Sequence, residues 1–198
     1  KTYQNDPNSI QNATDSIQKV IEQHRSEQTT NKQLDEEVIA NLYYQMQKNY
    51  DARNGGFDQA PKFILPANLS FLLDYAKLMR SKGAEKMIER TLHQIYKGAI
   101  FDHLHGGFYR YSNDNAWMYP HQEKMLLDNA QLLEIYARMY AHTKNTFYKD
   151  VSYRLIKFIE EALKQEQGGY YNALSQNHAH QLSQERIEDI LSKEEYAM

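Results

Sequence analysis

Apolar residues recur every three or four positions along most of the chain, the period of a helix packed on one face. Ile10, Ala13, Ile17, Val20, Ile21 and His24 mark a first helix, after a polar entry segment over residues 1–9. A polar break at residues 28–33 separates it from a second, with Val38, Ile39, Leu42, Tyr43, Met46 and Tyr50. Pro66 stands where a helix begins, and Leu69, Leu72, Leu73, Ala76 and Met79 continue a third. Met87, Ile88, Thr91, Leu92, Ile95 and Tyr96 predict a fourth, ahead of a long loop from Phe101 to about Gln122. Met125, Leu126, Leu132, Leu133, Tyr136 and Tyr140 give a fifth, and Phe147, Val151, Leu155, Phe158 and Ala162 a sixth. A seventh is expected to start over Gln184–Leu191, beyond a polar linker at 176–184. The only strands expected are short aromatic pieces, Phe108–Tyr111 and Tyr170–Tyr171, pairing as small local hairpins.

A parity rule organises these helices. A Gly-Gly-aromatic tripeptide follows the second, fourth and sixth of them: Gly55-Gly56-Phe57, Gly106-Gly107-Phe108 and Gly168-Gly169-Tyr170. The spacings of 51 and 62 residues equal one helix pair plus a loop. With antiparallel neighbours all three loops emerge at one end, the signature of a stacked αα-hairpin array. The period exceeds that of tetratricopeptide or ankyrin repeats, about 33–34 residues, and suits an all-α toroid whose loops build a cup. The expected hairpins span 10–53, 65–104 and 123–167 of one partial toroid covering residues 1–198.

Composition narrows the function classes. Net charge is -3 with no basic stripe, which gives nucleic acid no electrostatic footing. Apolar runs are too short to span a bilayer, and no signal-peptide pattern opens the chain, so a cytoplasmic protein is expected. The sequence holds 0 cysteines, which removes thiolate metal sites and a Cys nucleophile. It begins at Lys1 rather than Met, as a cut or partial product would.

Candidate chemistry concentrates between Asp102 and Asn129, where three histidines and four carboxylates stand beside Arg110, Lys124 and Trp117. Loops this long in a helical domain are commonly functional. One reading is acid–base chemistry on a small polar substrate, with Glu123, Asp128, Asp114 and Asp102 as proton donors and acceptors and His121 beside them. Glycoside chemistry needs such paired carboxylates, and Trp117, Tyr109 and Tyr111 offer rings for a sugar face. The competing reading is structural. Lys124 and Asp128 form an i,i+4 surface pair, Glu123 favours a helix N-terminus, His121 caps the fifth helix and Arg110 ties the loop to helix carbonyls. Lys62, after the first Gly-Gly loop, faces either the cup or solvent. The Asp-His-Leu-His spacing matches no tight ligand pair such as His-x-x-x-His, so neither a metal nor a cofactor is expected. His178 and His180 read as surface residues.

The runs GGFDQAPKF and IFDHLHGGFYRYSNDNAWMYPHQEKMLLDNAQLL resemble the spermatogenesis-associated thioredoxin-like protein family, over about 54–163. That family joins a thioredoxin-like domain to a six-hairpin α/α toroid, which is similar to N-acylglucosamine 2-epimerases and six-hairpin glycosidases. The resemblance implies functional positions at Lys62, Asp102, His103, Arg110, Tyr111, Asp114, Trp117, Pro120, His121, Glu123, Lys124, Asp128 and Asn129. His105 and Tyr109 depart from a family glycine and histidine, and Gln122 and Leu127 from a phenylalanine and a tyrosine. The third loop departs most, with Asn172 and Leu174 where the family carries an acidic pair. The resemblance thus implies a carbohydrate-active toroid segment of sugar epimerase or glycoside hydrolase type. Its catalytic set is Glu123, Asp128, His121 and Asp114, and its substrate contacts are Arg110, Tyr111, Trp117, Lys62, Lys124, Asn129 and His103. The alternative is a non-catalytic helical-repeat binding module, a degenerate relative without activity. About seven helices fall short of twelve, so the chain is expected either to be part of a longer protein or to cover its exposed edge as a homodimer.

Overall fold

The computed structural model describes residues 7–27 and 36–174, and the expected seventh helix, the 176–184 linker and His178 and His180 lie outside them. By its contacts the chain divides into two units, Lys1–Asn41 and Leu42–Met198. In the first, helix α1 spans Pro7–Glu27 and leaves Ile17, Val20 and Ile21 exposed along one stripe. Helix α2 (Glu36–Asn49) starts with Glu36 and Glu37 in its first turn, favourable charges at the positive end of a helix dipole.

The second unit holds the core. Helices α3 (Pro66–Leu78), α4 (Lys82–Lys97), α5 (Leu126–Thr143) and α6 (Thr146–Phe158) carry the apolar stripes expected of them. Their starts and stops follow local chemistry. Pro66 sits in the first turn of α3, where its missing N–H is no loss. The Ser81 hydroxyl accepts from Ala84 N–H at 3.3 Å and starts α4, and Asn145 does the same for α6 from Phe147 N–H at 3.0 Å. Lys144 takes left-handed backbone (φ 60°) to end α5. A π-helical turn, Ile159–Leu163, extends α6 toward the third loop.

Leu69, Leu72 and Leu73 of α3, Ile88, Leu92 and Ile95 of α4, Leu132, Ile135 and Met139 of α5, and Val151 and Leu155 of α6 are buried together. Each such side chain contributes about 1.5–3 kcal/mol on burial. Helix packing runs α3–α4, α3–α5 and α5–α6, so successive hairpins meet through their first helices. That order is the inner ring of an α/α toroid. Tyr136 is buried in this seam and donates its hydroxyl to the Leu92 carbonyl at 2.8 Å. At the more exposed side Arg138 of α5 bonds Ser70 and Asp74 of α3.

Among the described residues, four two-residue strands lie in the loops: β1 (Lys62–Phe63), β2 (Tyr111–Ser112), β3 (Lys124–Met125) and β4 (Ala173–Leu174). Their pairing differs from the local hairpins expected. β1 pairs with β2 and β3 with β4, antiparallel, so each ladder joins one loop to the next. Among the described residues, single bridges close the loops locally, Tyr50 to Phe57, Phe101 to Phe108, Ser112 to Pro120 and Lys164 to Tyr170. A Gly-Gly turn brings its own ends together, and the residues beyond it are free to pair with the neighbouring repeat. α3 follows β1 and α5 follows β3, which puts both first-helix N-termini at the loop end, as parity requires.

Candidate functional site

The first two loops are built on one plan. Asp51 opens the first: one carboxylate oxygen accepts the N–H groups of Arg53 and Asn54, each at 2.9 Å. The other oxygen accepts the Asn54 side-chain amide at 2.9 Å and the Lys62 ammonium at 2.7 Å. Lys62 is fully buried and lies 4.8 Å above the Trp117 ring. In the second loop Asp102 takes the same part, accepting Leu104 and His105 N–H at 2.9 and 3.0 Å. Lys124 then bonds Asp102 and the Gly106 carbonyl, both at 2.7 Å, between the Tyr109 and Phe158 rings. Burial acts to raise the Asp102 carboxyl, but Lys124 and the loop N–H groups outweigh it and hold it at about 2. Burial and the Asp102 charge push Tyr109 the other way, up to about 12.

This plan changes the roles of several expected site residues. Lys62 does not face a cup: it is closed inside the protein with its hydrogen bonds made to Asp51 and the Asn115 carbonyl. Lys124 does not pair with Asp128 on a helix surface, because strand β3 turns it inward toward Asp102. Trp117 is buried with its indole N–H on the Asn54 carbonyl at 2.9 Å, under Lys62 rather than beside an open face. Asn129 is buried too. Its side-chain oxygen accepts Phe108 N–H at 2.7 Å, and its amide donates to the Phe108 and Met125 carbonyls. Asp114 closes its own turn through Ser112, Met118 and Tyr119 at 2.5, 2.9 and 3.2 Å. His103 meets Tyr96 and Phe101 edge-on, and its carbonyl accepts Arg154.

A second group of expected residues remains at the surface and together. Arg110 donates to Glu123 at 3.0 Å, and the backbones of the two residues also bond at 2.8 Å. Asp128, in the first turn of α5, feels both charges. Burial raises its carboxyl above the ordinary value, the Arg110 charge lowers it, and Glu123 raises it; the net shift is upward. His121 does not cap α5. Its ring stacks on Tyr111 at 4.7 Å, and Tyr111 in turn packs on Phe63 at 5.0 Å across the β1–β2 ladder. The result is a row of three rings, Phe63–Tyr111–His121. Phe63 was not among the expected residues. Its alternation with buried Lys62 is the signal that marks it, since neighbours on a strand face opposite ways.

Two clefts lie close by in sequence. One, about 570 Å³, is lined by Lys48, Asp51, Arg53, Asn54, Asp58 and Asn115 against the first loop. The other, about 290 Å³, lies between α3 and α5, with Ser70, Phe71, Gln131 and Glu134 on its walls. Gln131, on its wall, stands one helical turn after Asp128 along α5. Among the described residues no group of three or more His, Asp or Glu side chains gathers as a metal-ligand set. Among them, too, no helix is long and apolar enough to cross a membrane.

The third loop keeps the turn and loses the clamp. Gln165 stands in the place of Asp51 and Asp102, donating N–H to the Gly169 carbonyl at 3.0 Å and accepting Gly168 N–H at 3.1 Å. Asn172 is exposed, and Leu174 is buried against β3.

Comparison with known proteins agrees with both fold and motif. No family model matches the chain. The human spermatogenesis-associated protein 20 is 38% identical over 135 residues, 66% of this chain and 17% of that protein. The mouse protein of the same name gives the same identity and coverage, and uncharacterized protein B0495.5 of Caenorhabditis elegans is 35% identical over 144 residues, 70% of this chain and 20% of its own length. The chain therefore spans under a quarter of the length of these relatives. Among solved structures, cellobiose 2-epimerase from Bacillus thermoamylovorans superposes with a TM-score of 0.60 at 17% identity, over 70% of this chain and 40% of the enzyme. Cellobiose 2-epimerase from Spirochaeta thermophila gives 0.59 at 18%, over 72% and 40%, and a D-mannose isomerase 0.51 at 18%, over 57% and 30%. At such identities these likenesses speak for the fold, part of an α/α toroid, and the sequence that builds it here is homologous to a segment of spermatogenesis-associated protein 20.

Proposed function

We propose that the loop end of this toroid segment is a carbohydrate site in which Asp128 and Glu123 exchange protons with a sugar, Arg110 orients them, and Phe63, Tyr111 and His121 form the stacking shelf. The observation that carries the reading is the Arg110–Glu123 pair at 3.0 Å beside Asp128, a carboxyl raised above its ordinary value. A raised carboxyl holds a proton nearer neutral pH and so serves as a general acid. Inverting a sugar carbon that bears a hydrogen requires one group to take that proton and another to supply one. Glu123 and Asp128 offer the two groups, and a ring row next to charge suits the apolar face and hydroxyl edge of a sugar. The toroid neighbours include enzymes acting on cellobiose and on mannose, which makes these the first sugars to try. The absence of cysteine fits a cytoplasmic carbohydrate enzyme.

The altered third loop favours a second reading, a relative that binds sugar without turnover, because Asn172 and Leu174 supply no carboxylate there. One experiment separates the two. Cellobiose and mannose are incubated with the chain, products are resolved by chromatography, and binding is measured by calorimetry, for the parent, Glu123→Gln and Asp128→Asn. The enzymatic reading predicts turnover that falls at least about 100-fold in each variant, the usual scale of a lost acid or base, with binding retained. Binding without turnover in the parent supports the second reading, and no binding of either sugar contradicts both.

A further inference from the structure

Neighbours on a strand face opposite ways, and β1 uses both faces. Phe63 turns to Tyr111 and the ring row. Lys62 turns to Asp51 and the Asn115 carbonyl, two residues on the wall of the cleft of about 570 Å³. That cleft therefore lies on the other side of β1 from the proposed sugar shelf. Its wall is fixed in advance. Asp51 holds the N–H groups of Arg53 and Asn54. Asn115 ties the two loops together, its side-chain oxygen accepting Ala60 N–H at 2.8 Å and its amide donating to Gln59 at 2.6 Å. Asp58 donates N–H to the Asn49 carbonyl at 3.0 Å and takes left-handed backbone (φ 60°), which costs energy for a residue with a side chain.

The cleft also carries charges that the loop does not use. Lys48, Arg53 and Asp58 line it and are exposed. Among the described residues, the Lys48 ammonium, the Arg53 guanidinium and the Asp58 carboxylate make no hydrogen bond or ion pair. The charge of Asp51 is already met by Lys62. Nor does the plan of the loop call for these groups. Counted from the glycines, the second loop has Ala99, Leu104 and Tyr109 in the same three places, all uncharged. The unused groups are two cations and one carboxylate, with the side-chain amides of Asn49 and Gln59 on the same wall. Small-molecule sites run about 300–1,000 Å³, so the cleft has room for one ligand.

We propose that this cleft binds a sugar phosphate, with the phosphate on Lys48 and Arg53 and the sugar hydroxyls on Asp58 and the amides. Two cations match a phosphate dianion, and a guanidinium fork matches its oxygens. A carboxylate accepts from hydroxyls, and an amide both donates and accepts. Calorimetry of the full chain with glucose 6-phosphate, glucose and inorganic phosphate tests it, for the parent, Lys48→Gln, Arg53→Gln and Lys77→Gln. Lys77, exposed in the last turn of α3 and outside the cleft, controls for the loss of one positive charge. Glucose 6-phosphate is expected to bind more tightly than glucose or phosphate alone. That binding weakens at least about tenfold in Lys48→Gln and in Arg53→Gln, the scale of a lost hydrogen bond to a charged group, and is unchanged in Lys77→Gln. Circular dichroism is expected to match the parent in every variant, since neither cleft cation holds the fold. No binding of glucose 6-phosphate, equal binding of glucose or of phosphate alone, or equal losses in all three variants would overturn the proposal. Such a failure would leave the cellobiose and mannose results untouched, because those concern the opposite side of β1.

Discussion

At the scale of the residue, the two buried lysines decide how the loops are read. Lys62 and Lys124 looked chemical in sequence because an amine near a glycine turn suits a ligand. Both are instead closed against Asp51 and Asp102. Removing one partner of such a buried pair strands the other charge, at a cost of about 3–5 kcal/mol. Asp102, held at about 2, stabilises the fold at any pH above the ordinary carboxylate range. That contribution is lost as pH falls through the ordinary value toward about 2. Acid unfolding followed by circular dichroism is expected to shift with Asp102→Asn: the variant is less stable at neutral pH, and its stability depends less on pH below the ordinary carboxylate value. Equal acid sensitivity in both proteins would show that the pair is not what holds the loop.

At the scale of the element, the six described helices, their order and the parity of the loops were legible from periodicity, because an amphipathic stripe and a glycine break are local signals. Pairing between loops was not. The β1–β2 and β3–β4 ladders join residues about fifty apart, and no local pattern announces a partner so distant. For the same reason the candidate site was legible only in part. Arg110, Glu123, Asp128, Tyr111 and His121 were named from the motif and stand at the loop surface, whereas Trp117 and Asn129 were named with them and are buried framework. A motif preserves fold and chemistry alike, and burial alone separates the two. The joint between loop and helix gives an independent check on this element. Gly55→Ala meets the α4 backbone, and Gly168→Ala meets nothing within 4 Å among the described residues. Both carry the left-handed penalty of about 1–2 kcal/mol, but only Gly55→Ala adds an overpacking cost of about 1–3 kcal/mol. Urea melts of the two variants are expected to differ by that second amount, and equal losses would argue against the first loop being seated on α4.

At the scale of the whole molecule, the segment joins part of an α/α toroid fold to relatives several times longer than itself. The fold supplies a cup-building end, and the family motif places the carboxylates there, but neither determines chemistry, because one fold hosts many activities. The packing of α3 on α5 and the β1–β2 ladder bring Phe63, from one repeat, beside Tyr111 and His121 of the next. A shelf shared between repeats exists only in the assembled array, so the candidate site belongs to the toroid rather than to any one hairpin.

The most direct test of the carbohydrate site is the titration of Asp128, read from its side-chain carbon resonance by NMR with and without cellobiose. The account predicts a midpoint above the ordinary carboxylate value, lower in Glu123→Gln because a like charge is removed, and moved when cellobiose is added. An ordinary midpoint, indifferent to both the substitution and the sugar, would contradict it.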